Sequence, residues 1–448
     1  MKWVALLLFV ALVPVLISWL RENPQRAPLV WTAMGFLPFV MGPWHLIIAP
    51  ISWAMWPGYV KGLELSLLDF IALAVFLRYQ KVRVPSPMLT VLPIYIFLVL
   101  VTIAYSAVPM AAFFYAWQLA RVFLIFAAVA KICQDERGAP ALIRGMVLGL
   151  CFQAGFAIDQ RLSGDTQAAG TFGHQNLLGM ISHFVVFPAL AMLMVDGKQR
   201  ASLFGIIAGA TVVIFGASRA TLGLAGFGFV TLLVLSIARR PTPRKSMIVG
   251  LGLVALAAAT PLAFSSLQKR FDAAPISADY DERAAFERAA RMIISDHPMG
   301  VGSNQYVVVA NTQGYSDRAG VVWNSGSRSA NVHNAYLLVW AETGLLGLVA
   351  FVLLLLTPIR IAFRTAWQNR KDPRGDLMLG IGVCLVVVVI HCFYEWIFVV
   401  YPVQVLFAID TGIVAGLARK IALEKGLQAK SKRQDELQHA AASGGEVA

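Results

Sequence analysis

Charge is what this 448-residue chain has least of: Asp, Glu, Lys and Arg make up 14% of it, against 58% hydrophobic residues. A soluble domain carries about a quarter charged residues to stay hydrated, so that class is excluded and lipid is the expected solvent. Cysteine is scarce as well. The four, Cys133, Cys151, Cys384 and Cys392, lie in or beside apolar stretches with no metal-ligand spacing, which argues against disulfides and against a zinc site. A basic stripe is also missing. The formal charge of +13 is scattered over short loops, so no nucleic-acid partner is expected. No repeat of fixed period is visible, which disfavours a transporter built from two similar halves. The opening stretch, Met1 to Leu20, lacks the small-x-small cleavage site of a signal peptide and reads as a retained helix.

Long apolar runs are what the chain does have. Each covers the roughly 17–25 residues needed to cross about 30 Å of hydrocarbon. Candidate spans are 2–20, 27–42, 65–79, 86–106, 109–130, 139–158, 176–195, 201–218, 220–238, 247–264, 335–358, 376–396 and 400–418, a count of 12 or 13. The expected fold is all-α, a polytopic transmembrane helical bundle forming one domain over 1–420. The tail 421–448 is expected to be a cytoplasmic helix that frays into disorder. Residues 43–64, with Pro43, Trp44, Trp53, Trp56, Pro57 and Tyr59, read as an aromatic interface segment or a re-entrant element. Lys and Arg accumulate at Arg78–Arg83, Lys131–Arg137, Lys198–Arg200, Arg239–Lys245, Arg360–Arg374 and from Arg419 onward. If every span crosses, these loops share one side, which the positive-inside rule makes the cytoplasm.

Two outward segments remain, 159–175 and the much longer 265–334. Within the second, Asp279 to Ser295 has helical periodicity and suits a helix lying along the interface. His297-Pro298 ends it, and Gly300, Gly302 and Gly326 make the remainder turn-rich. Three inward-running spans begin just after polar motifs: Gly173-His174-Gln175-Asn176, Ser218-Arg219, and Asn331-Val332-His333-Asn334. Their unpaired N–H groups and positive dipole ends favour an anion such as a diphosphate. Arg161, Arg219, Arg270, Arg283, Arg288 and Arg291 fall on the same side, where orientation rules call for few cations. Their planar forks suit phosphate oxygens; pairing with loop carboxylates is the alternative. His333 is the candidate for proton transfer, with a cap or packing role as its alternative. Glu342, nine residues on, faces the opposite side of the helix and reads as a tie to a neighbouring element. Asp69, Arg121, His183, His391, Glu395 and Asp410 lie within apolar runs, where helix-to-helix pairing is expected; a transporter would use the same residue types and is the alternative from another class.

His333-Asn334-Ala335-Tyr336-Leu337, followed by Glu342-Thr343-Gly344-Leu345-Leu346-Gly347-Leu348, resembles the signature of the O-antigen ligase and polymerase superfamily of bacterial envelope glycosyltransferases. Three weaker segments follow the same family's order: Gly170 to Asn176, Ser218-Arg219-Ala220, and Arg283 through Asp296-His297-Pro298 to Gly300-Val301-Gly302. One departure is visible. The family often carries an aromatic residue four positions after the loop arginine; here that position is Glu287, with Phe286 one earlier. The resemblance implies transfer of a glycan from undecaprenyl diphosphate to an acceptor on the periplasmic side of the bacterial inner membrane, without cofactor, metal or nucleotide sugar; lipid A-core is the first choice of acceptor, and direct displacement would invert the anomeric carbon. His333 would activate the acceptor hydroxyl, and Arg219, Arg283 and Arg161 would neutralise the diphosphate. Asn176, His174, Asn334, Arg288 and Arg291 are the substrate-binding candidates. An O-antigen polymerase or a protein O-oligosaccharyltransferase would share the donor and differ in acceptor.

Overall fold

The computed structural model of the chain describes residues 2–196, 200–273 and 276–444. Helices follow each apolar run: α1 (Lys2–Glu22), α2 (Ala27–Phe36), α3 (Leu67–Arg78), α4 (Met88–Val101), α5 (Pro109–Ile132), α6 (Gly138–Leu162), α7 (Gln175–Val195), α8 (Arg200–Gly216), α9 (Arg219–Arg239) and α10 (Pro243–Ala273). The long loop contributes α11 (Ile276–Asp296), α12 (Tyr306–Thr312), α13 (Tyr315–Arg318) and α14 (Ser325–Arg328); α15 (Ala335–Gln368), α16 (Arg374–His391) and α17 (Tyr401–Gly444) complete the chain. Seven of these helices, among the described residues, are long and apolar enough to cross a membrane. The protein is an all-α polytopic membrane protein.

Residues 43–64 are where sequence and structure differ. They hold the two strands of a hairpin, β1 (Ile47–Ser52) and β2 (Gly62–Ser66), antiparallel with a bulge between Ile48 and Ile51. The aromatic residues gather at its tip, where Trp53 contacts Trp56 and Phe114. The last strand residue, Ser66, caps α3: it takes the Asp69 N–H on its side chain and gives its own N–H to Asp69 Oδ2 at 2.6 Å. The tail begins as the helix expected of it. Helix α17 continues to Gly444, because Ala, Gln, Lys, Glu and Leu dominate this stretch and all favour helix. Lys198 and the side chain of Arg270 lie outside the described residues.

Burial separates centre from rim. In α7 and α16, 78% of the apolar window is buried, against 33% in α9 and 6% in α1, so the first two form the axis and the last two the periphery. The basic loops converge at one end. Lys131 donates to carbonyls of Tyr79, Gln80 and Val82, Arg239 to those of Ala366 and Asn369, and Lys420 pairs with Glu136. Deeper in the bundle Arg121 meets Asp69 at 2.8 Å and lies over the Tyr401 ring, which realises the helix-to-helix pairing expected of both residues.

Close helix crossing depends on glycine. A Cβ on Gly35 would stand 2.1 Å from the Leu142 carbonyl oxygen, and one on Gly145 would stand 2.0 Å from that of Thr32, so α2 and α6 touch backbone to backbone. Gly145→Ala is expected to destabilise this crossing by about 1–3 kcal/mol. Gly155→Ala, with nothing within 4 Å of the added carbon, is expected to be neutral. Thermal unfolding of the two variants in detergent checks the contrast, and equal midpoints would contradict it.

Candidate functional site

The site lies at the end of the bundle that carries the long loop. Two motifs far apart in sequence interlock there. Helix α15 breaks at Gly344, whose φ of 68° is open to glycine and strained for other residues. Loop residues fill the break: Val301 and Gly302 donate backbone N–H groups to the carbonyls of Ala341 and Glu342, each at 2.9 Å. Glu342, 2% exposed, accepts from the Tyr59 hydroxyl at 2.6 Å and from the backbone N–H groups of Asn304, Gln305 and Tyr306 at 2.9–3.0 Å. It ties the hairpin segment and the long loop to α15, in keeping with its position opposite His333.

His333 precedes the short half of α15. Asn334 caps that helix by accepting the N–H groups of Tyr336 and Leu337, so its role is to set the backbone beside the histidine. The imidazole Nδ1 lies 3.1 Å from Glu395 Oε2. Phe286 packs against the ring at 5.8 Å between centroids, which gives this displaced aromatic a place in the site. Arg219 opens α9 directly after the cap Ser218, and Ala217 before it takes the left-handed φ of 45° that turns the chain from α8 into α9. Arg283, on α11, donates to the Tyr394 carbonyl at 2.9 Å and to Glu395 Oε1 at 3.0 Å. Asn176, on the first turn of α7, donates to the same Oε1 at 2.5 Å.

Asn176, Arg219, Arg283 and His333 thus line one cavity of about 630 Å³, with Ala220, Gly223, Leu224, Ile390 and Phe393 supplying an apolar wall. The other sequence candidates do not line it. Arg161 bends back to the carbonyls of Asp165 and Thr166, Arg288 clamps the Ala319 carbonyl, and Arg291 pairs with Glu287 one turn away. His174 is the residue before α7 and stands outside the lining. A larger cavity, about 1340 Å³, opens at the basic end, but its Arg374 is bracketed by Asp372 and Glu424 and none of the singled-out residues reach it.

Glu395 is the residue that linear reading misplaced. The span read as 376–396 ends at His391, so Glu395 lies past the helix rather than inside it. Its aromatic surroundings, Phe393, Tyr394 and Trp396, are the interface signal that could have ended the span earlier. Burial alone would raise its carboxyl, yet the hydrogen bond and charge of His333, then the charges of Arg283 and His391, bring it down to about 2. A fixed anion therefore stands behind the cations of the cavity. Among the described residues, no three His, Cys, Asp or Glu side chains stand close enough to hold a metal ion.

Fold and site together define a multi-pass membrane protein in which two arginines and a histidine line one cavity at the loop-bearing end of the bundle. The family model described as O-Antigen ligase matches residues 204–352, from within α8 to within α15, and this match supports the O-antigen ligase and polymerase superfamily. That match supports a glycosyltransferase-like enzyme of this class. It includes Arg219, Arg283 and His333 and leaves Asn176 and Glu395 outside. No curated protein matches the chain.

Proposed function

We propose that the protein transfers a glycan from undecaprenyl diphosphate to lipid A-core at the periplasmic face of the inner membrane. The observation that carries this reading is the convergence of Arg219, Arg283 and His333 on one cavity with an apolar wall. A diphosphate needs cations that stay charged and a fork that matches its oxygens, which two arginines supply. The α9 N-terminus adds N–H groups and a positive dipole end at the same place.

In the proposed step, His333 removes the proton from the acceptor hydroxyl. The oxygen attacks the anomeric carbon as the carbon–oxygen bond to the diphosphate breaks, and that electron pair leaves on the diphosphate. Arg219 and Arg283 meet the growing charge, a form of stabilisation that acts most strongly in the transition state. Direct displacement inverts the anomeric carbon. Arg161, turned back onto the carbonyls of its own loop, is not placed in this phosphate set.

Reconstituted transfer tests the reading. The purified protein receives a glycan linked to undecaprenyl diphosphate together with lipid A-core, a growing glycan or an acceptor protein in parallel reactions. Arg219→Ala is expected to lower transfer by about 10²-fold or more, the size of effect seen when a charge-stabilising donor is removed. Product on lipid A-core supports the ligase. Product only on glycan or protein keeps the chemistry and changes the acceptor, and silence in every reaction favours a transporter of lipid-linked sugars.

A further inference from the structure

The proposed reaction leaves Glu395 without a task, although it is the least exposed charged side chain of the cavity, at 1%. Three groups from three parts of the chain converge on it: Asn176 from α7, Arg283 from α11, and His333 from the turn before α15. A carboxylate buried this far persists only with strong compensation. Here two of the three compensating groups, Arg283 and His333, are residues to which the chemistry is assigned.

We propose that Glu395 is the positioning residue of the transfer site, fixing which nitrogen of His333 faces the acceptor and aiming the Arg283 guanidinium. This inference rests on the reading of His333 as the base.

The argument follows from what each atom can do. An ionised carboxylate only accepts hydrogen bonds, so Oε2 at 3.1 Å requires the proton of neutral His333 to sit on Nδ1. The lone pair is then on Nε2, the nitrogen turned away from Glu395 and free to take the acceptor proton. After that transfer the imidazolium lies against a carboxylate that stabilises it, and Glu395 itself neither gains nor loses a proton. The other oxygen is held by two donors, Arg283 Nη2 and Asn176 Nδ2. Arg283 is also fixed by its bond to the Tyr394 carbonyl, so two neighbouring residues set its fork while its remaining N–H groups stay available to phosphate.

This geometry makes a specific prediction about glutamine. In Glu395→Gln the amide oxygen must occupy the Oε1 place, because both of its partners there are donors. The amide NH₂ then faces His333 Nδ1, which has to become the acceptor, and the ring proton moves to Nε2, where it blocks base action. A near-isosteric change is thus expected to cut kcat by about 10²-fold or more, as wrong-tautomer substitutions do in other acid–base sites. The donor KM should stay within about threefold, since Arg219 and the Arg283 contact to Tyr394 remain. Glu395→Asp, which keeps the acceptor-only character, should recover part of the lost kcat.

The experiment is transfer kinetics on the full-length reconstituted protein for wild type, Glu395→Gln, Glu395→Asp and His333→Ala, with thermal unfolding of each. A large kcat loss in the glutamine variant, an unchanged donor KM, a wild-type melting point and partial recovery in the aspartate variant support the assignment. A glutamine variant within about threefold of wild-type kcat overturns it, as does a loss that tracks a lowered melting point in both Glu395 variants. If His333→Ala transfers normally, the base reading fails and takes this inference with it; if His333→Ala is inactive while Glu395→Gln is active, the positioning role alone fails.

Discussion

His333→Ala is expected to slow glycan transfer by about 10²–10⁴-fold, the usual contribution of a positioned acid or base. The loss should fall on the chemical step. His333 is only part-exposed in the cavity wall, and Arg283 takes its direction from the Tyr394 carbonyl and Glu395 rather than from the histidine. The diphosphate donor should therefore bind the variant about as well as wild type. The helix behind it should stand too, because its cap is Asn334 and its start is tied by the Ala335 N–H to the Cys392 carbonyl. Single-turnover transfer, with donor binding measured separately, checks both halves of the expectation. A variant that binds donor poorly but turns over bound donor at the normal rate would make His333 a phosphate ligand instead of a base.

Glu342→Ala is expected to produce the largest loss of stability from a single substitution in the loop-bearing end. Its carboxylate satisfies four buried donors: the Tyr59 hydroxyl and three consecutive backbone N–H groups. Each donor left without a partner costs about 1–3 kcal/mol. The damage should spread, because Asn304 also joins the loop to both carbonyl and N–H of Val60 and to the Ala111 carbonyl. A fall in melting temperature on the order of 10 °C is expected in detergent. Tyr59→Phe, which removes one donor and leaves three satisfied, should cost about 1 kcal/mol. Equal melting points for wild type and Glu342→Ala would mean that the loop is held by something other than this carboxylate.

Much of the helical framework was legible because apolar runs of membrane length have few other uses. The thirteen runs all became helices, and the charged, periodic stretch of the long loop became α11, ending at Asp296 just before its His-Pro pair. The hairpin was not legible. Its strands are short, one contains Pro50, and its aromatic residues signal an interface without specifying the backbone that carries them. The site was half legible for a similar reason. Motif position singled out Asn176, Arg219, Arg283 and His333, which line one cavity, whereas the side chains of Arg161, Arg288 and Arg291 turn to other partners. Arg288 is five residues from Arg283, a different face at about 100° per residue, so one helix cannot present both to one cavity. Glu395 could not be paired with His333 from spacing, since 62 residues and a whole helix separate them.

The break at Gly344 has a mechanical meaning beyond the contacts it makes. Helices change tilt to match the thickness of the bilayer around them. An unbroken α15 would carry such a tilt to its outer end as a lever, and His333 would swing with it. Instead the chain divides into 335–343, anchored through Glu342, and 345–368, which faces the hydrocarbon with Leu345, Leu346 and Leu353 exposed. A change of tilt in 345–368 therefore meets a break in the helix before it reaches the segment that follows His333.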